Sequence, residues 1–460
     1  MCGFYAAVQI LKSSAVWRIS NGVFAMEELM ESIWKANTSL PNFPKLDKDI
    51  KTDVLIIGGG ITGILTAFFL HRNGVKYILA EKERICSGTT RNTTAKITFQ
   101  HGLIYQKIIK SYGEEAARKY LDANKSAFEK YAELCSDIKC NYEIKDNYVY
   151  SLNDRQKIEN EISALYRIGC KAEYCEDMSI PIKTMGAVKV PEQAQFDPLK
   201  FISNIADGLN IYENTFVREM IGTSAVTDKC RIRADKVIAA THFPFINKHG
   251  SYFLKLYQHR SYVIALENAQ NVEGMYVDED HKGMSFRNYG DLLFIGGGGH
   301  RTGEKGGNWN ELRNFAKFSY TDAQEKYHWA AQDCMSLDGI PYIGKYSRNT
   351  PNFYVASGFN KWGMTGSMVA AMILSDMVIG KRKEFADIFD PSRNIIKPQL
   401  FINGGKAVKN LLTPTAKRCP HMGCALKWNS SEHSWDCACH GSRFSSDGQV
   451  LDNPANGSLK

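Results

Sequence analysis

No run of five or six like charges occurs in the 460 residues, and the surplus of 57 Lys and Arg over 49 Asp and Glu is spread along the chain as a net +8. That excludes the dense basic surface of a nucleic-acid binder, though it suits an acidic partner protein. With 13 prolines and 37 glycines, the chain is also too poor in both for a collagen-like or wholly disordered protein. Long apolar runs are scarce: Val54 to Leu70 has 17 residues without a charge, but Gly58, Gly59, Gly60 and Gly63 make it a poor membrane helix, so no integral membrane segment is expected. Met1 to Val23 has no charged lead ahead of its short apolar stretch and is expected to be unprocessed. Residues 1–25 are expected to be a loosely ordered extension or a start-codon artefact. At roughly 150 residues per domain the length allows about three units. Of twelve cysteines, eight are scattered from Cys2 to Cys334, whereas Cys419, Cys424, Cys437 and Cys439 fall within 21 residues. Scatter without an export signal reads as a reducing cytoplasm, and the terminal four read as a metal site.

The first decisive motif is Val54-Leu55-Ile56-Ile57-Gly58-Gly59-Gly60-Ile61-Thr62-Gly63, followed by the helix-period segment Ile64 to Leu70. An apolar β-rich run, a GxGxxG turn and a helix stand in the order of a dinucleotide-binding βαβ unit. Gly58 permits the tight turn, Gly60 lets the backbone approach a pyrophosphate, and Gly63 lets the helix pack on its strand while its amides face the anion. A second strand, Lys76 to Ala80, ends at Glu81, 18 residues after Gly63, where a carboxylate can accept from ribose hydroxyls. Flavin and nicotinamide enzymes share this fingerprint, so it leaves the dinucleotide open. Thr89, Thr90 and Thr94 offer hydroxyls and amides just beyond the second strand. Gly363, at a strand-to-helix turn, aims further amides at electron-rich ligand atoms.

Three segments carry a family likeness. Ser87 to Lys96 (SGTTRNTTAK), Val237 to Thr241 (VIAAT) and Tyr354 to Thr365 (YVASGFNKWGMT), the last ahead of the small-residue helix Gly366 to Val378, resemble the D-amino-acid-oxidase or glycine-oxidase type of FAD-dependent oxidoreductase, over about residues 50 to 385. The resemblance implies bound FAD and extends cofactor contacts to Ile61, Thr62, Lys82, Ala95, Lys96, Val217, Thr241, Gly358, Phe359, Met364 and Thr365. Some relatives carry the flavin covalently on a histidine of the early loop. The position that looks equivalent is Asn92, so FAD is expected to be non-covalent. The strands that roof the flavin in relatives look like Tyr257 to Leu266, Met284 to Tyr289 and Leu292 to Gly299. Arg287 stands where some members place the cation that grips a substrate carboxylate, and Tyr262 and Gln195 are candidate pocket polar groups; these three are the catalytic candidates. No Ser-His-Asp or metal-hydrolase constellation accompanies them in this region, in keeping with redox chemistry carried by a cofactor.

The second decisive motif is Cys419-Pro420-His421-Met422-Gly423-Cys424, then Cys437-Ala438-Cys439-His440-Gly441-Ser442. Two Cys-plus-His pairs on two loops, Cys419 with His421 and Cys437 with His440, could hold zinc or a [2Fe-2S] cluster whose outer iron has two histidine ligands. The whole pattern closely resembles Rieske proteins. That resemblance implies the cluster, with Cys419, His421, Cys437 and His440 as ligands and a Cys424–Cys439 disulfide tying the loops together. It further implies a hydrogen bond from Ser442 towards a cluster sulfur. Phe444 stands where high-potential members have a tyrosine donor, so an intermediate potential is expected. A cluster-binding hairpin of roughly 45 residues cannot bury enough surface to stand alone and is expected to pack against the flavin domain.

The fold expected is α/β: a Rossmann-like FAD-binding domain with an inserted mixed or antiparallel β-sheet substrate domain and a small all-β Rieske segment. The expected divisions are an extension with a lead-in helix (1–49), FAD-binding parts (50–145, 195–248 and 336–385), substrate-domain parts (146–194 and 249–335), a linker (386–416) and the cluster segment (417–460). The function expected is an oxidoreductase that takes electrons from a small organic substrate, by resemblance an amine or amino acid, through FAD to the cluster and on to a one-electron acceptor. The alternatives are a redox-sensing or electron-transfer flavoprotein without turnover, and a reductase fed through the cluster by a donor protein.

Overall fold

The computed structural model describes residues 31–246, 249–280 and 283–459; the expected extension at 1–25 lies outside them. Of the lead-in, the described part is a short helix, Ile33–Asn37, anchored by the fully buried Trp34.

The first sheet is built on Ile50–Ile57, which pairs in parallel with Tyr77–Ala80 on one side and Arg231–Ala239 on the other. Phe353–Ser357 continues the parallel set beyond Arg231–Ala239, and Ile211–Tyr212 beyond Tyr77–Ala80. Strands buried on both faces need no polar alternation, which is why Val54-Leu55-Ile56-Ile57 is uniformly apolar. The helices Ile61–Arg72 and Gly363–Val378 pack side by side, with Thr62 and Ser367 hydroxyls 2.7 Å apart. Two glycines are structurally obligatory. Gly58 has φ +108°, and a Cβ on Gly63 would lie 1.9 Å from the Gly58 carbonyl oxygen.

The second sheet runs, in spatial order, through Gln324–Met335, Tyr257–Glu267, Leu292–Arg301, Ser285–Tyr289, Met275–Asp278, Glu143–Tyr150, Ala187–Gln195 and Lys96–Ile97. All its neighbours are antiparallel except Met275–Asp278 against Glu143–Tyr150, which makes it the mixed sheet expected.

A third, antiparallel sheet of four short strands, Leu426–Asn429, Ser434–Cys437, Arg443–Ser445 and Val450–Asp452, carries the cysteine-rich loops. The stretch 386–416, expected to be a linker, differs: it contains the helix Pro398–Leu412. Its buried positions are Asn403 and Asn410, Leu400 and Ala407 are half-buried, and its other apolar residues face out, so the usual inward hydrophobic stripe that marks a helix is missing.

The small sheet packs mainly against strands of the second sheet, within the expected substrate-domain part, and reaches the expected FAD-binding part through Asn453 at the Thr241 and Phe243 carbonyls. Gln258 donates to the carbonyls of His440 (3.1 Å) and Asn453 (2.9 Å), Gln332 to that of Gly441 (2.9 Å), and Arg301 to those of Ala438 and Cys439.

Candidate active site and metal centre

A cavity of about 1100 Å³ starts at the glycine turn, follows the end of the second strand, and extends beneath the second sheet to the cysteine-rich segment. Gly58, Gly60, Ile61 and Thr62 line one end, beside Glu81 and Lys82. The Glu81 carboxylate accepts from the amides of Gly59 (2.6 Å) and Glu83 (2.9 Å). Burial pushes its pKa up and those two amides hold it back. Thr90 accepts from the Ile61 amide (3.1 Å), and Thr89 donates to the Gln332 carbonyl (3.1 Å), so both fix the early loop across the cavity mouth. Thr94, Lys96, Val217, Thr241, Phe359, Gly363 and Met364 complete the expected lining.

Four expected contacts stand off the cavity. Gly63 serves helix packing, and Thr365 turns inward to donate to the Thr98 carbonyl (2.9 Å). Ala95 has φ +54° and gives its carbonyl to Arg287, while Gly358 lies against Leu256 and Ser336.

Lys96 donates to the Thr94 hydroxyl (3.3 Å) and forms no ion pair among the described residues. Burial, with Arg287 nearby, brings its pKa down to about 7.

Of the three catalytic candidates, only Tyr262 lines the cavity. Arg287 is fully buried and its Nη1 donates to the carbonyls of Thr94 (2.7 Å) and Ala95 (2.9 Å), among the rings of Trp34, Tyr289 and Phe294. It shares a strand with Ser285, which does line the cavity, but the 94–95 backbone covers it, so its guanidinium braces that loop. Gln195 donates to the Asn288 carbonyl (2.8 Å) and to Glu143 (3.1 Å), again away from the cavity.

The cavity also has walls that the sequence reading missed. His101 bonds to Tyr120 (2.7 Å), stacks on Trp362 at 5.1 Å, and is kept neutral by burial, its pKa lowered to about 3. Trp362 and Lys361 lay inside the quoted 354–365 motif and were within reach of the reading; a lone histidine at 101 gave no signal. Asn360 and Lys361 both have positive φ, so the loop ahead of the Gly363 helix turns back into the cavity.

At the far end, Cys419, Cys437 and His440 are buried and His421 is half-buried. The His421 and His440 rings stand 4.9 Å apart, and Cys424 is bonded to Cys439. Burial lowers the His421 pKa to about 4 and the His440 pKa to about 3, so both imidazoles are neutral. A hydrogen bond from the Cys437 thiol draws the Cys419 pKa down to about 7. Two facing thiols, two neutral imidazoles and a buried His440 Nδ1 without a hydrogen-bond partner are a donor set that fits a Cys2His2-ligated [2Fe-2S] cluster. The other two cysteines are spent on each other. Ser442 accepts from the Ala455 amide (3.0 Å), which leaves its proton for a sulfur, and its hydroxyl already lies against Cys419.

The cavity and the metal centre share a wall. Thr241 and His242 line the cavity, and the next residue, Phe243, lies 6.3 Å from the His440 ring. Asn453 clamps this turn by donating to the carbonyls of Thr241 (2.6 Å) and Phe243 (2.8 Å). Beside it, Glu432 accepts from Tyr262 (2.9 Å), Arg260 (3.0 Å) and Arg443 (2.8 Å).

Residues 53–377 match the family model described as FAD dependent oxidoreductase, and residues 389–460 match that of the Rieske [2Fe-2S] domain. YhfW of Bacillus subtilis (strain 168), whose name describes a Rieske 2Fe-2S iron-sulfur protein, is 35% identical, with 96% of this chain and 99% of the relative covered. The fold is that of glycine oxidase from Geobacillus kaustophilus (TM-score 0.63, 18% identity, 75% of this chain and 99% of the other). It is also that of L-proline dehydrogenase from P. horikoshii (TM-score 0.64, 17% identity, 76% and 98%).

Proposed function

The chain belongs to the FAD-dependent oxidoreductase family and carries a Rieske [2Fe-2S] domain, and from that premise we propose that it oxidises a small amine or amino acid and passes the electrons internally to the cluster and on to a one-electron acceptor. When bound, FAD accepts two electrons and can release them singly, and the cluster carries one at a time. The protein's part is placement. The Gly58–Gly63 turn and the amides at Gly363 hold the cofactor's polar ends. The second sheet presents Tyr262, Ser285 and Lys96 to the space left for a substrate. An amine must lose its ammonium proton before it can give up hydride, and Lys96 Nζ is the group assigned to take it, since burial holds it near neutrality at physiological pH. Tyr262 and Glu432 orient the substrate end nearest the cluster domain.

The observation that carries the reading is the shared wall: the 241–243 turn borders the cofactor cavity and also beds the ligand His440. Seven described cysteines outside the cluster segment are unbridged, which supports a cytoplasmic setting, and no helix among the described residues is long and apolar enough to cross a membrane.

The test is anaerobic mixing of holoprotein with a panel of amines and amino acids. Flavin bleaching followed by the electron paramagnetic resonance signal of the reduced cluster is expected. Bleaching with the cluster left oxidised would refute the internal transfer, and silence towards every donor would favour a sensor.

A further inference from the structure

The helix Pro398–Leu412 is amphipathic in the wrong sense for a globular surface. Its protein-facing side holds Asn403 and Asn410, 6% and 5% exposed. Asn403 accepts from Arg301 (2.8 Å), and the Asn410 carbonyl accepts from the Ala425 amide (3.0 Å), so the helix is bolted down by polar contacts. The opposite side shows Phe401 (69% exposed), Ile402, Val408, Leu411 and Leu412 (76% exposed), spaced to form a stripe along about 17 Å of helix. Monomers rarely leave so continuous an apolar strip in water.

Charge says what covers it. Between Asp390 and Glu432 there is no acidic residue, while the same stretch carries seven Lys and Arg. Lys397, Lys409, Lys417, Arg418 and Lys427 form no ion pair among the described residues. The helix end and the cysteine-rich loop meet here too: Arg418, just before Cys419, donates to the Leu411 and Thr413 carbonyls at the helix end and to the Gly423 carbonyl (2.8 Å).

We propose that Pro398–Leu412 is an interfacial helix that docks the protein on an anionic phospholipid surface. Phe401, Val408, Leu411 and Leu412 enter the acyl boundary, and the flanking lysines meet the headgroups. Glu304 opposes Lys406 and Asp338 opposes Arg393, but the other basic residues of this stretch make no ion pair among the described residues, and a stripe of large apolar side chains with a basic excess beside it is the pattern of helices lying in a membrane interface. Docking here would bring the cluster loop to the bilayer surface while the rest of the chain stays in water, and it does not depend on which substrate the flavin cavity takes.

The test uses full-length holoprotein and vesicles of phosphatidylglycerol or of phosphatidylcholine. Co-sedimentation with the phosphatidylglycerol vesicles, weakened by salt and weak on phosphatidylcholine, is expected. The double variant Phe401→Ser/Leu412→Ser should lower the vesicle partition coefficient at least about tenfold, and Lys409→Glu/Lys427→Glu should lower it on phosphatidylglycerol alone. Flavin absorbance and cluster resonance should be unchanged in both, which separates lost docking from lost folding. A Phe401→Trp variant should gain emission that brominated phosphatidylglycerol quenches. Failure to bind phosphatidylglycerol, or equal binding by the variants, overturns the proposal. A dimer that Phe401→Ser/Leu412→Ser dissociates, or a photo-crosslinker in place of Phe401 that captures the chain's own first 30 residues, also overturns it, because the stripe would then be already covered.

Discussion

Replacing Glu432 by glutamine keeps the shape of the side chain and removes its charge. In the wild-type protein the Glu432 side chain is 1% exposed and is flanked by Arg260 and Arg443 guanidinia, themselves nearly buried, with Tyr262 as a third donor. Burial works against a charged carboxyl at this place, yet the two guanidinia outweigh it and hold the pKa below the usual value. The amide can still accept one bond, but it removes the carboxylate that Arg260 pairs with directly at the junction with the cluster segment, leaving only the more distant Asp452 field. Breaking a buried pair from one side costs about 3–5 kcal/mol, because the remaining ion stays desolvated. Arg260 belongs to the second-sheet strand Tyr257–Glu267 and Glu432 to the cluster segment, so the loss should fall on docking. Amide exchange in the strands Leu426–Asn429 and Ser434–Cys437 should accelerate by two orders of magnitude or more, about what that free energy implies. The depressed carboxyl adds a pH signature. Its contribution is complete above the unfolded carboxyl pKa and is lost as pH falls through the lower folded value, so acid should undock the wild type while Glu432→Gln is already loosened at neutral pH. Exchange in these strands unchanged by the substitution would refute the argument, as would additive effects of Arg260→Gln and Glu432→Gln in a double-mutant cycle.

Gly63→Ala should yield protein that fails to retain FAD, read as a lost 450 nm band, since the new Cβ meets the Gly58 carbonyl oxygen at 1.9 Å and neither backbone can retreat. Ser442→Ala should lower the cluster potential in a resonance-monitored redox titration by removing a donor to sulfur. It also strands the Ala455 amide, at about 1–3 kcal/mol in thermal stability. Lys96→Met should abolish the limb of the pH–rate profile that rises near pH 7, with bound FAD retained. Because burial depresses the lysine, the folded state binds fewer protons than the unfolded one between that value and the ordinary lysine pKa. The wild type should therefore gain stability across that window as pH rises, and the methionine variant should not.

The features legible in the sequence were those whose chemistry is local. Gly58, Gly60 and Gly63 stand at one turn and one helix end, where spacing shows them, whereas spacing showed the Cys419–His421 and Cys437–His440 pairs only as a possible metal site and the resemblance to Rieske proteins supplied the cluster. Arg287 misled because its residue type fits a substrate anchor, whereas the strand's position under the 94–95 backbone decides what it touches. Tyr262 was found without its partners: its hydroxyl meets Glu432 across 170 positions of sequence. The helix Pro398–Leu412 stayed hidden because its apolar side faces outward and Gly404-Gly405 dilutes its helical propensity.

The buried charges explain why a cluster segment this small is fused to a large flavoprotein. Within the segment, Glu432, Asp436 and Asp452 surround a single guanidinium, that of Arg443. Alone, three carboxylates on one cation would repel each other, and at least one would have to stay in water. Arg260 from the second sheet supplies the second cation, and its Coulomb field reaches Asp452 as well as Glu432. The same strand delivers Gln258 to the carbonyls of His440 and Asn453, so one element offsets part of the segment's negative charge and holds the loop of the candidate ligand His440. Docking therefore supplies a cation and hydrogen bonds that the segment lacks by itself, and Asn453 ties it to the 241–243 turn beside His440.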